Sequence, residues 1–122
     1  MTDIRQRLGE TGEKLACEEL IARGYAILAK RYRTRHGEID IVAQDGETIV
    51  FVEVKMKSSP ECGLAVEAVT GWKQRRVVRM AVDYIARHEL HARPIRFDVV
   101  AIDVVDGVAR ITVIPAAFDG VA

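Results

Sequence analysis

Cysteine is scarce, long apolar runs are missing, and neither sign of charge is in excess. The two cysteines, Cys17 and Cys62, stand alone, with no CxxC spacing and no histidine pair beside them. That argues against a disulfide framework or a cysteine-built zinc site, and both thiols are expected to be buried or incidental. No apolar run is long enough to span a bilayer, so no membrane partner is expected. The N-terminal MTDIRQRLGETGEK has no signal-peptide core, which makes a cytoplasmic location the expectation. Eighteen basic residues balance 18 acidic ones, so net charge alone gives no reason to expect a polyanionic partner. No repeat or low-complexity tract divides the 122 residues, and one domain over 1–122 is expected. A chain of that size buries roughly two-thirds of its unfolded surface without staples.

The charges that are present are unevenly placed. Lys30, Arg31, Arg33 and Arg35 form one run without an acid, and Lys73, Arg75, Arg76 and Arg79 form another. Acids gather elsewhere, as at Asp103, Asp106 and Asp119. Each run alone reads equally well as a solvated face; only a fold that brings the two together makes an electrostatic footprint for nucleic acid.

Periodicity sets the element order. Ile4, Leu8, Gly12, Ala16 and Leu20 recur at helical spacing, with Leu15 and Ile21 widening the stripe and Gly24 as a stop. Glu13 falls beside that stripe. A strand over 25–33 follows, then GEIDIVAQ from Gly37, in which Ile39, Ile41 and Ala43 are expected on one face and Glu38, Asp40 and Val42 on the other. Asp45-Gly46 signals a hairpin into ETIVFVEVKMK. There Val50, Val52, Val54 and Met56 point one way, and Ile49, Phe51, Glu53, Lys55 and Lys57 the other. Past a loop over SSPECG, AVEAV suggests a helical turn or two. A second long helix runs from Trp72 to about His88, with Val77, Met80, Ala81, Tyr84 and Ile85 buried and Arg75, Arg79 and Asp83 outside. IRFDVVAIDV and, after Asp106-Gly107, VARITVI are the last strands. The order α-β-β-β-α-β-β predicts an α/β fold, a central mixed sheet flanked by helices.

A carboxylate in mid-strand at Asp40, with Glu53 and Lys55 on the strand hairpinned to it, can converge on one spot. Two adjacent carboxylates repel as anions, and a hard divalent cation, Mg²⁺ or Mn²⁺, relieves the repulsion while binding phosphate oxygens and water. A neighbouring lysine can then assist the attack on phosphorus. Glu13 and Glu38 are candidates to complete or orient such a shell. The plain alternative is an ion pair between Glu53 and Lys55 on a half-solvated sheet, worth about 1 kcal/mol or less. Asp98, between Phe97 and Val99, is expected to order the core by pairing with Arg96 or Lys73. His36 reads as a solvated loop residue or a phosphate ligand, and Trp72 as a core or helix-entry anchor in preference to a base-stacking surface.

Asp, a hairpin, then Glu-x-Lys resembles the PD-(D/E)xK nuclease superfamily. Gly12-Glu13, Gly37-Glu38-Ile39-Asp40, Phe51-Val52-Glu53-Val54-Lys55, Gly63, Glu67-Ala68-Val69, Lys73 and Arg96-Phe97-Asp98 together resemble the YraN family of predicted endonucleases, which is similar in fold to archaeal Holliday junction resolvases. The resemblance implies a restriction-endonuclease-like fold and a metal-dependent cut in nucleic acid, in structured or damaged DNA; the alternative is a binding module of the same fold with little or no turnover. It implies Asp40, Glu53 and the Val54 carbonyl as metal ligands, Lys55 as catalytic lysine, and Glu13 as supporting acid. Lys30, Arg31, Arg33, Arg35, His36, Lys57, Lys73 and Arg76 are the expected nucleic-acid contacts, with Glu38, Arg96 and Asp98 in support. Tyr32 and Lys57 depart from the family pattern, where asparagine and arginine are usual. No extended loop suggests base-specific readout, and a homodimer would follow if both strands of a duplex are to be cut.

Overall fold

The computed structural model describes residues 4–57 and 71–118, with side chains described from residue 11 onward. The expected AVEAV turn, the SSPECG loop, Cys62, Gly63, Glu67 and Asp119 lie outside those residues, as do the side chains of Ile4 and Leu8. The elements are α1 (Ile4–Ala22), β1 (Ala26–Thr34), β2 (Gly37–Asp45), β3 (Thr48–Lys57), α2 (Gly71–Arg87), β4 (Ile95–Val105) and β5 (Val108–Phe118). This is the α-β-β-β-α-β-β order expected of the restriction-endonuclease-like fold.

The five strands lie in one sheet in chain order, antiparallel except where β3 runs parallel to β4. A parallel pair needs a crossover, and α2 lies on it. Asp106 and Gly107, at φ 52° and 75°, form the two-residue turn their sequence signals. The β2–β3 hairpin turns at Gly46 and Glu47, one residue beyond the Asp-Gly pair's start, with Asp45 opposite Thr48. α1 closes with two bonds of a Schellman cap, Tyr25 N–H to Leu20 C=O at 3.0 Å and Gly24 N–H to Ile21 C=O at 2.9 Å, and Gly24 takes the φ of 92° that such a cap requires.

Each helix covers one face. Ala16, Cys17 and Leu20 of α1 pack on Ile41, Ala43, Val50, Val52, Val100 and Ile102. Val77, Met80, Ala81 and Tyr84 of α2 pack on Val42, Ile49, Phe51 and Phe97. The alternation read in β3 is therefore the partition between two cores, and Cys17 is a buried thiol. Three expectations need correction. Ile21 is 58% exposed, lying outside the face that Ala16, Cys17 and Leu20 turn to the sheet. Ile39 packs with Val42 in the α2 core and not with Ile41 and Ala43. The cause lies opposite, on β1, where Arg31 takes a φ of 51° and breaks the pleat, so that Tyr32 and Ile39 both land on the α2 side. Asp83 is half-buried, because its carboxylate accepts the Tyr32 hydroxyl at 2.6 Å.

Candidate metal and nucleic-acid site

The site begins where the sheet ladder opens. β2 and β3 pair only as far as Ile41 opposite Val52; the next backbone N–H of β3 in that series, that of Val54, donates instead to the Asp40 carboxylate at 2.8 Å. An aspartate thus takes the place of a missing strand partner, and this holds it beside Glu53 on the neighbouring strand. Glu53 is 8% exposed. Burial first, then the Asp40 charge and a hydrogen bond with Asp40, pushes its carboxyl up to about 8. Burial raises Asp40 as well, against the Val54 bond, which favours its anion.

Positive charge rings this pair. Lys55, half-buried on the same strand face as Glu53, lowers the proton affinity of both carboxyls. Lys73, in the first turn of α2, lies close to Lys55, and the Lys55 charge is the largest cause of its lowered affinity for a proton. Two amines held this close leave a place for an anion between or above them. Arg76, one turn on, also acts on Glu53. It presses on Gly37, where an added Cβ would stand 2.9 Å from the guanidinium Nε, and Gly37 has a φ of 138° that disfavours any other residue. The glycine of the GEID stretch is therefore the seat for an arginine of α2.

Glu13 is placed by close packing of α1 on β3, since a Cβ at Gly12 would meet the Met56 sulfur at 3.3 Å. It is near enough to raise Asp40, yet its carboxylate accepts Arg31 Nε at 2.8 Å. Arg31 thus answers an acid of the site. Lys30 faces α1, where its charge acts on Cys17. Arg33 pairs with Glu38 at 3.1 Å and stays largely exposed. Lys57 ends β3, half-buried. Arg35 and His36 do meet the second basic run. His36 lines a cavity of about 280 Å³ with Trp72, Arg75, Arg76 and Arg79. A second, of about 610 Å³, adjoins it through His36 and Arg79 and includes Thr34, Arg35, Val82 and Asp83. Trp72 is 60% exposed, not the core or entry anchor expected, with the Arg76 guanidinium 5.1 Å from its ring centroid.

Arg96 and Asp98 lie apart from this cluster. Asp98 is fully buried and accepts Arg96 Nε at 2.8 Å, Arg96 Nη2 at 3.1 Å, the Tyr25 hydroxyl at 3.2 Å and Ala116 N–H at 3.0 Å. Arg96 also reaches Asp45 at 3.1 Å, and its hydrogen bond to Asp98 chiefly holds its proton more tightly. Their partners are Tyr25, packed on the α1 core, and the edge strand β5. Arg75 and Arg79, members of the second basic run but not among the expected nucleic-acid contacts, join the groove wall; the signal was the helical spacing of positions 72, 75, 76 and 79, which puts them on one face.

Among the described residues no group of three or more His, Cys, Asp or Glu side chains is arranged to hold a metal ion. The pair fits a cation that needs few protein ligands. Mg²⁺ and Mn²⁺ bind through one or two carboxylates and keep several waters, and the proton held by Glu53 beside Asp40 marks a place where positive charge is required.

The fold is α/β, of the restriction-endonuclease-like class, with a buried glutamate, a half-buried aspartate and a lysine where two strands part. Residues 12–102 match Uncharacterised protein family UPF0102, and the chain belongs to that family, also called the YraN family. It is 48% identical over 118 residues to a UPF0102 protein of Anaeromyxobacter dehalogenans, covering 97% of this chain and 88% of that one. It is similar too to UPF0102 proteins of Symbiobacterium thermophilum, at 48% over 94% of this chain and 98% of the relative, and of Moorella thermoacetica, at 46% over 97% and 100%. No described helix is long and apolar enough to cross a membrane.

Proposed function

We propose that the protein is a divalent-metal-dependent nuclease that hydrolyses phosphodiester bonds of nucleic acid, with structured or damaged DNA as its substrate class. The observation that carries this reading is Asp40, held by the Val54 N–H where β2 and β3 part, beside the buried Glu53, with Lys55 on the same face and Lys73 close to Lys55. Asp40, Glu53 and the Val54 carbonyl would hold Mg²⁺ or Mn²⁺, which would supply Lewis-acid polarisation of the phosphate and a water activated for attack. Lys55 sits where it can orient that water and meet the negative charge that builds on phosphate oxygens. Lys73 and Arg76 fix the adjoining phosphate, and Glu53 must release its proton before the site fills. Arg35, His36 and Arg79 continue the positive track away from the cut.

A binding module without turnover has one observation in its favour: Arg31 already occupies Glu13, the candidate third acid. Calorimetric titration with Mn²⁺, run with a melting scan, separates the readings without a substrate. The nuclease reading expects wild-type protein to take up Mn²⁺, release a proton and melt at higher temperature. Asp40→Asn, whose amide oxygen can still accept from Val54, should lose uptake at little cost in stability. A wild type indifferent to Mn²⁺, together with a destabilised Asp40→Asn, would overturn it.

A further inference from the structure

We propose that Trp72 is a stacking platform for an unpaired base, so that the groove takes single-stranded nucleic acid, or a single-stranded end or gap, in preference to continuous duplex. The inference rests on the nucleic-acid reading above and adds the form of the substrate. Trp72 is the chain's single tryptophan, and at 60% exposure it leaves a large apolar ring in water at the start of α2. An apolar partner surface is the usual cover for such a ring, but the surroundings are wrong for one. The cavity it lines is walled otherwise by His36, Arg75, Arg76 and Arg79, with no carboxylate among them. In the adjoining cavity the carboxylate of Asp83 is engaged by Tyr32 and by Arg87 at 3.3 Å. What fits must carry negative charge and a flat apolar face together, which is the chemistry of a nucleotide strand.

Arg76 lies over the ring at 5.1 Å from the centroid, a cation–π contact that braces it, while the residue stays 60% exposed and so keeps apolar ring surface to offer a base. The position is continuous with the candidate chemistry, because Lys73, the next residue, lies close enough to Lys55 to feel its charge, and Arg76 acts on Glu53. A strand whose phosphates follow Arg35, Arg79 and Arg76 toward Lys73 would bring one base over Trp72. In continuous duplex the base faces are already stacked on each other, and only their edges are offered to a protein. Using the ring there would require unstacking, so unpaired nucleotides are favoured. Every base has a π-face, so the preference is for strand form and not for sequence.

The single tryptophan makes the test direct. Wild-type protein in EDTA is titrated with an oligothymidylate, with an abasic strand of the same length and with a blunt duplex, while its fluorescence is followed. Oligothymidylate should quench strongly, and the abasic strand and the duplex should bind with little quenching. By anisotropy of labelled strands, Trp72→Ala should bind oligothymidylate about tenfold more weakly and the abasic strand unchanged, while Trp72→Phe keeps most of the affinity. A melting temperature equal to wild type for both variants shows that the exposed ring is not needed for folding. Equal quenching by abasic strand or duplex, or an unchanged affinity in Trp72→Ala, would overturn the stacking role and leave the nucleic-acid reading in place. Failure of the wild type to bind any of the three would overturn both.

Discussion

Asp98 and Asp40 each lend a carboxylate oxygen to a backbone N–H that the sheet ladder leaves over, Ala116 for one and Val54 for the other. Asp98 does so at a register shift between β4 and β5, Asp40 where β2 and β3 part. Around Asp98 a bidentate arginine and a tyrosine hydroxyl complete the partners, so a fully buried charge is balanced in place. Around Asp40 the neighbouring side chain is another carboxylate, the buried Glu53, and the interaction between them favours the anion on Asp40 and the proton on Glu53. The same local device thus serves once as a finished structural clamp and once as a site that asks for a cation. What separates them is the charge of the next residue in space, arginine or glutamate.

The comparison can be broken at several points. Asp98→Ala should have the largest effect on stability, about 3 kcal/mol or more in denaturant melts, because it leaves Arg96 poorly compensated and the Ala116 N–H unpartnered. Mn²⁺ uptake should survive in this variant at low temperature. Lys55→Ala should melt like wild type yet lower single-turnover cleavage by about two orders of magnitude, with substrate affinity kept; equal rates would make Lys55 a structural lysine.

Glu53→Gln tests the proton itself. The folded state holds that proton more tightly than the unfolded chain, so this group's contribution to apo stability is complete below the ordinary carboxylate range and is lost as pH rises from there to about 8. The slope approaches about 1.4 kcal/mol for each pH unit. Melts of apo protein across that window should show the slope in wild type and not in Glu53→Gln, and saturating Mn²⁺ should abolish it in wild type. The smallest effect is expected at the groove wall, where Arg79→Ala should reduce the slope of log affinity against log salt by about one. An unchanged slope would remove α2 from the interface.

Much of this was legible in the sequence, for particular reasons. Alternation in VFVEVKMK sorts the core valines from Glu53 and Lys55, and a hairpin closed at Gly46 sets Asp40 nearly opposite. The position of Ile39 was not legible, because Arg31 breaks the pleat without the glycine that usually announces a positive φ. Trp72 misled because aromatics at a helix start are often staples, whereas here arginines at helical spacing keep the ring at the surface. The Arg96–Asp98 pair was readable as a pair, but its partners Tyr25 and Ala116 are distant in sequence.

The single parallel pairing, β3 with β4, gives the two halves of the site different folding histories. Asp40 and Glu53 belong to one hairpin, a local structure of the kind that forms in about 1–10 μs. Lys73 and Arg76 arrive on the crossover, whose closure waits for contacts far apart along the chain. The acids and Lys55 are thus brought together by a short loop, and Lys73 and Arg76 by the slowest step of the topology. A hairpin that forms early carries two carboxylates against one lysine, so low pH or divalent cation should speed the folding of this protein as well as stabilise it.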